Sequence, residues 1–461
     1  MPLPNESFLS RRTFIKNTTT TAAGLGLLGG LSIERSAFAA GSDEIKLALV
    51  GCGNRGSGAV DNALKVPGTK LVAMADVFQK RIDESLAVLM GQEAPDDPTA
   101  AKPIKMKVDK GQAKQLDVPK ERQFVGFDAY KKAIAEADVV IIAGPPGFRP
   151  VHFEEAVRQG KNVFMEKPLG TDAPGVRRIL AANQIAKEKN LKCGVGFQRH
   201  HENSYLEMMK RVHDGDIGDI LAIRVYWRGG SRGGIPKLPG ESELAYQIRN
   251  WYFFTCLSGD HIVEQHCHNI DVGNWIKTTD PTKPAHPIRA HGLGGRQVRN
   301  DPKLNGQIFD HHFVEFEYED GTRMTSECSQ IPKLWGNTSE HAVGTKGTVD
   351  FGGSNRSQIK GPKPFRFKGG NEPYVQEHRD LIAAVRNNQR YNEVDASAYS
   401  TMSAIMGRMA TYSGEQIEWD DAFNSKLVLM PEITSWNDPA PVQPNADGVY
   451  PVAVPGVTRA L

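Results

Sequence analysis

The sequence predicts an α/β protein whose first half is a doubly wound parallel sheet. Three observations predict it. A short apolar strand, Ile45 to Val50, runs straight into Gly51-Cys52-Gly53-Asn54-Arg55-Gly56 and then into a helical stretch from Gly58 to Leu64. The order strand then helix recurs along the next hundred residues, and that order requires parallel strands with crossover helices. After Asp138, Val139-Val140-Ile141-Ile142-Ala143 is apolar throughout, as a strand covered on both faces must be, and Gly144-Pro145-Pro146 stops it.

Each element of the first domain has a local cause. Gly51 permits the tight turn, and Gly53 lets backbone approach a pyrophosphate. Gly56 allows helix and strand to pack closely, and the helix N-terminus attracts the negative charge. Asn54 and Arg55 lie on this phosphate turn. Leu71 to Ala75 is the second strand, ended by Asp76, 25 residues after Gly51. A carboxylate there accepts the hydroxyls of an adenine ribose and repels a 2′-phosphate, which favours NAD. Lys80 and Arg81 weaken that preference, so NADP stays open. Gly91 to Arg122 is rich in Pro, Lys and Asp and reads as a polar insertion. Gln123 to Phe127 and Asn162 to Met165 are further strands. Asp128 and His152 open the helices between them.

The chain is long for one core, which predicts two domains. Its N-terminus carries Ser10-Arg11-Arg12-Thr13-Phe14-Ile15-Lys16, an apolar run from Ala22 to about Leu31, and Ala37-Phe38-Ala39. A basic stretch, a short apolar stretch and a small-residue cleavage site read as a signal peptide over 1–39, and the arginine pair points to twin-arginine export. The mature protein is therefore expected to be soluble, extracytoplasmic and without a membrane span. The apolar run is far shorter than the roughly 20 residues a span needs. Lys and Arg total 56 against 54 Asp and Glu, so no charge excess argues for nucleic acid. Five cysteines without a paired spacing argue against a disulfide framework.

Glu166-Lys167-Pro168 stands at the C-terminal end of the fifth strand, where a doubly wound sheet presents ligand-facing groups. A fixed ammonium at Lys167 can hold a substrate hydroxyl and stabilise alkoxide character. A second cluster runs from Gly259 to Asp271. As one helix it would place His261, Glu264, His268 and Asp271 within an arc of about 80 degrees, with His266 pointing away. His268 has the chemistry of a general base near neutral pH. His261, Glu264 and His268 could also offer donors to a divalent ion. Their spacing is not HExxH, and no metal is expected. Arg199 and Tyr205 are secondary candidates for the substrate. So are His200 and His201, and all four could instead serve the connecting helix. His152 either contacts the nucleotide side or packs beneath it.

The chain resembles the Gfo/Idh/MocA family of glucose-fructose oxidoreductase and inositol dehydrogenase type proteins. The resemblance rests on Gly51-Cys52-Gly53-Asn54-Arg55-Gly56, on Pro145-Pro146 followed by His152, on Glu166-Lys167-Pro168, and on Val195-Gly196-Phe197-Gln198-Arg199. It implies an N-terminal Rossmann domain, here 43–195. It also implies a C-terminal α+β substrate domain with an open, mostly antiparallel sheet, here 196–420. The family pattern has an Asp where this chain has Glu264, and it keeps His268 and Asp271. It implies a nicotinamide between the domains, a sugar or polyol substrate, and frequent oligomers.

In the second domain, Ile220 to Trp227 and the pair Phe313–Tyr318 and Met324–Cys328 read as strands. Arg228 to Gly234 and His291 to Arg296 read as glycine-rich loops. The former either closes over an anionic or polyhydroxylated ligand, or is surface. A late amphipathic helix, 374–387, is expected to return beside the cofactor domain. The segment 421–461 reads as an extended arm. Lys167 would hold the reacting oxygen and His268 would take its proton, with Glu264 tuning the histidine. Free NAD is scarce outside the cytoplasm, so a tightly held cofactor is expected. Two alternatives remain at this level. One is a glycosidase that works through transient oxidation at C3, with Tyr205 or His200-His201 as acid/base. The other is a non-catalytic sugar binder.

Overall fold

A computed structural model describes residues 44–94, 104, 106, 108, 110–301, 303–353 and 356–461. The predicted signal peptide lies outside the described residues, as does part of the polar insertion. Glu44–Leu461 forms one compact unit.

Six strands make the first sheet: β1 (Ile45–Val50), β2 (Thr69–Asp76), β3 (Gln123–Val125), β4 (Val139–Ile142), β5 (Asn162–Met165) and β6 (Cys193–Val195). Their order is β3-β2-β1-β4-β5-β6, and every pairing is parallel. The strand order reverses beside β1. At that switch point the strand ends diverge and leave a crevice for a ligand. The sheet is buried on both faces, which accounts for the near-continuous apolar strands.

The second sheet has nine strands: β7 (Ile220–Arg228), β8 (Arg289–Gly295), β9 (His311–Glu317), β10 (Arg323–Ser329), β11 (Asn337–Gly344), β12 (Thr348–Phe351), β13 (Gln358–Lys360), β14 (Phe365–Arg366) and β15 (Ile417–Glu418). Only β7 and β10 pair in parallel; the other neighbours are antiparallel. The chain thus has the Rossmann-plus-α+β architecture.

His291 to Arg296 corrects the sequence reading. Its residues His291 to Gly295 are in strand β8 rather than a loop, and Arg296 follows the strand. Gly292 is needed because a Cβ there would lie 2.3 Å from the Phe313 carbonyl oxygen. Part of the polar insertion is also ordered against the first domain. Gln112 and Gln115 donate side-chain hydrogen bonds to the Asp61 and Leu64 carbonyls.

The helix Val394–Ser413 is buried nearly all round and packs on the helices Ala173–Glu188 and Cys267–Lys277 and on β8 and β9. A helix walled in on every side shows no amphipathic stripe, which is why its sequence pattern does not announce it. The helix Pro373–Arg386 packs on the first domain, where Leu381, Ile382 and Val385 join the core under β1 and β2. From Ser425 onward the chain has no helix or strand and lies along the molecule. Leu429 and Met430 donate backbone hydrogen bonds to Asp172. The five cysteines are free and buried. No helix among the described residues is long and apolar enough to cross a membrane.

Gly51 carries φ of +93°, and a Cβ there would sit 2.3 Å from the Gly144 nitrogen. Gly51→Ala therefore strains the turn and pushes β1 off β4. The expected cost is about 3 kcal/mol, read from urea unfolding midpoints.

Candidate functional site

A cavity of about 780 Å³ runs along the C-terminal ends of the first sheet and beneath the second domain. One end holds Asp76, Phe78, Gly126 and Tyr130. The glycine turn and the Ala143–Pro146 turn form its middle. Lys167, Glu264, Gln265 and His268 stand at the far end, with Trp227 and Tyr252.

The nucleotide side fits a dinucleotide. The helix Asn54–Leu64 has no side-chain cap at its N-terminus, so its first N–H groups are left for a ligand. Gly53 faces open space, whereas Gly56 has none: a Cβ there would meet the Gly51 oxygen at 2.1 Å. Gly56 is accordingly a packing residue and does not line the cavity. Asp76 accepts from the Cys52 N–H at 2.8 Å and the Phe78 N–H at 3.0 Å. Burial raises its pKa, and those two bonds oppose the rise. Arg81 is engaged by Glu84 at 2.8 Å.

Gly51, Gly53, Asn54, Arg55, Pro145, His152 and Glu166 all line the cavity. Arg55 bonds Glu166 and reaches Glu377 of the late helix at 3.4 Å. Its guanidinium lies 4.6 Å from the Tyr374 ring centre. Burial pushes Glu377 well above the usual carboxylate range, opposed by Arg55. His152 stacks on Phe148 and contacts Tyr130, and burial drops its pKa to about 3.

At the reaction end, the Lys167 ammonium donates to the Glu264 backbone carbonyl and lies 3.4 Å from its carboxylate. His268 touches Phe197 edge-on and lies over Trp227. Its Nδ1 is buried without a partner, leaving Nε2 for the cavity. Burial, then the charges of Lys167, Arg199 and Arg55, hold its pKa well below the usual histidine range. A neutral imidazole beside a fixed ammonium can take a proton from a hydroxyl whose oxygen the ammonium holds.

The single-helix reading of 259–271 is corrected. The chain forms two short helices, His261–Glu264 and Cys267–Lys277, broken at Gln265 and His266. His266 does not point to solvent. It is buried and bonds Ser326 of β10 at 2.8 Å, which turns the chain inward there. The break releases the Glu264 carbonyl toward Lys167. It also scatters the expected stripe, so that Glu264 and His268 line the cavity while His261 and Asp271 do not. His261 sits beside Asp260 and His312 in a closed cluster. The Asp260 carboxylate there accepts from the Phe309 N–H and the Tyr412 hydroxyl. Asp271 bonds His200 at 2.7 Å.

Arg199 and Tyr205 also lie off the cavity. Both bond the buried Glu340, at 2.7 and 2.8 Å. His201 bridges Asp380 and Glu393, which raise its pKa to about 10 against its burial. Glu264 engages Lys167 rather than His268. Sequence reasoning missed Arg149, which is fully buried and donates to the Pro168 and Gly144 carbonyls. It also missed Trp227 and Gln265 as cavity residues. Arg149 follows the turn Pro146–Phe148 and begins the next helix, and that position was its only signal.

Residues 45–197 match a family model described as GFO_IDH_MocA, oxidoreductase family, NAD-binding Rossmann fold. Residues 45–197 thus carry the NAD-binding Rossmann domain of this oxidoreductase family. It is 24% identical to scyllo-inositol 2-dehydrogenase (NAD(+)) of Bacillus subtilis over 383 residues, covering 80% of this chain and 94% of that one. It is 36% identical to inositol 2-dehydrogenase of Klebsiella pneumoniae over 196 residues, 42% of this chain and 48% of that one. The Gfo/Idh/MocA fold is shared with scyllo-inositol dehydrogenase of Lactobacillus casei, solved with NAD(H) and scyllo-inositol. That match has a TM-score of 0.57 at 20% identity and covers 82% of this chain and 99% of that one. Aldose-aldose oxidoreductase of Caulobacter crescentus matches with a TM-score of 0.59 at 14% identity, over 81% and 99%. As in that family, the Rossmann domain binds NAD.

Asp76→Asn keeps the size of the side chain and removes its charge. It is expected to weaken NAD about tenfold or more and to narrow discrimination against NADP, measured by titration of nucleotide-free protein.

Proposed function

We propose that this protein dehydrogenates a secondary alcohol of a polyol or sugar. The observation that carries the reading is the placing of Lys167 and His268 on one cavity with the dinucleotide cradle. NAD, when bound, supplies the hydride acceptor. The Lys167 ammonium binds the substrate oxygen, and His268 Nε2 receives the hydroxyl proton. Glu264 holds Lys167 in place through its carbonyl and carboxylate. Phe197 and Trp227 fix the imidazole and keep water from it. The likeness to inositol dehydrogenases supports a polyhydroxylated substrate.

The residues on which a glycosidase reading would rest, Tyr205 and the His200-His201 pair, stand away from the cavity, each engaged by a carboxylate. We propose further that the protein is exported folded by the twin-arginine machinery and works outside the cytoplasm as a homo-oligomer. Its NAD would be tightly held. Trp436 of the C-terminal arm supports this: it packs on Phe78 and Phe127, 5.3 and 4.7 Å between ring centres, at the adenosine end.

Lys167→Met and His268→Gln are each expected to lower kcat/KM for the polyol by about 10²–10⁴, with nucleotide retained in the His268 variant. Steady-state rates on single polyols and sugars, followed by reduced nicotinamide, test this. Full activity in either variant would refute the assigned roles. The base works when deprotonated, and its pKa is lowered. The acid limb of the kcat/KM profile should therefore fall below about pH 6.5, with activity kept as pH drops through that value.

A further inference from the structure

The substrate end of the cavity has a fixed hydrogen-bond polarity, set by a buried arginine outside it. Arg299 is 3% exposed and donates to the Phe309 carbonyl and to Gln330 Oε1. Arginine can only donate, so the Gln330 oxygen must face it. The Gln330 amide N–H groups therefore point the other way. They reach the Tyr252 hydroxyl oxygen at 2.6 Å and Gln265 Oε1 at 2.9 Å.

Both of those groups line the cavity. Gln265 has spent its oxygen and offers an N–H₂. Tyr252 has spent a lone pair and keeps its hydrogen, with no acceptor for it among the described residues. Arg232, on the glycine-rich loop after β7, lies 4.4 Å from the Tyr252 ring centre and also lines the cavity. It has no carboxylate partner among the described residues. The neighbouring cations differ: Lys167 is engaged by Glu264, Arg55 by Glu166, and Arg249 by Glu241. A hydroxyl of a neutral polyol can accept from these donors but brings no charge to pair with Arg232. A carboxylate is acceptor-only, takes several of these donors at once, and makes a charge-assisted pair with the guanidinium.

We propose that the substrate is an acidic sugar or polyol whose carboxylate docks on Arg232, Tyr252 and Gln265 while a ring hydroxyl lies on Lys167. The inference rests on the dehydrogenase reading. It makes Arg232 the specificity residue and Gln330, through Arg299, a positioning residue.

The test uses the NAD-loaded full-length protein and matched substrates: glucuronate against glucose, galacturonate against galactose, and inositol as a neutral polyol. Support is an acid preference in kcat/KM of about tenfold or more that Arg232→Gln abolishes and Arg232→Lys partly restores. Bound NAD should be retained, and rates on neutral substrates should fall far less than those on the acids. Gln330→Leu should raise KM for the acid more than it lowers kcat. Equal or better turnover of the neutral partners would overturn the inference and leave the dehydrogenase reading standing. Loss of NAD from Arg232→Gln would overturn it by assigning the arginine to the nucleotide. No turnover of any of these alcohols would overturn both readings.

Discussion

The contact between the Lys167 ammonium and the Glu264 backbone carbonyl is the constraint on which the site depends. Lys167 stands two residues beyond the end of β5 in the first sheet, and Glu264 ends a short helix of the second domain. Their junction closes the reaction end of the cavity. It is available only because the helix stops after Glu264, since a continuous helix would spend that carbonyl internally. His266, bonded into β10, makes the stop. Asp260 begins the short helix with its side chain on the His261 N–H and is tied to Tyr412 and Phe309. The histidine-rich segment thus shapes the backbone more than it supplies chemistry.

Burial sets the electrostatics. His268 is held toward its neutral form by desolvation and by surrounding positive charge, which suits the base role proposed for it. The positive charge nearby is distributed and compensated. Arg55 ties the phosphate turn to Glu166 on the catalytic strand end and to Glu377 on the late helix. One guanidinium thereby joins nucleotide turn, strand end and second-domain helix. The same helix reaches His201 through Asp380, which carries that link to the segment after β6.

The Rossmann half was legible because its signals are local. Val139–Ile142 can only be a buried strand, and Gly51 and Gly56 stand where backbone crowds backbone. That Lys167 and His268 would line one cavity was legible because strand ends and titratable clusters are where ligand-facing groups sit. What escaped depended on distant partners. Arg199 and Tyr205 look like cleft residues until Glu340, from β11, claims both. Periodicity placed His261 and Asp271 beside His268, but a side chain bonded to another sheet broke the helix. Arg149 and Gln265 carry no motif at all. Their importance comes from which carbonyl or amide faces them.

In the proposed function, one chain presents a retained NAD and an alcohol-activating lysine–histidine pair to the same cavity. The most direct test is to purify the protein, release and identify any nucleotide from one portion, and add polyols to the other without free NAD. The account predicts stoichiometric NAD that becomes reduced by substrate alone. Protein that is empty, and that also fails to take up added NAD, would contradict it.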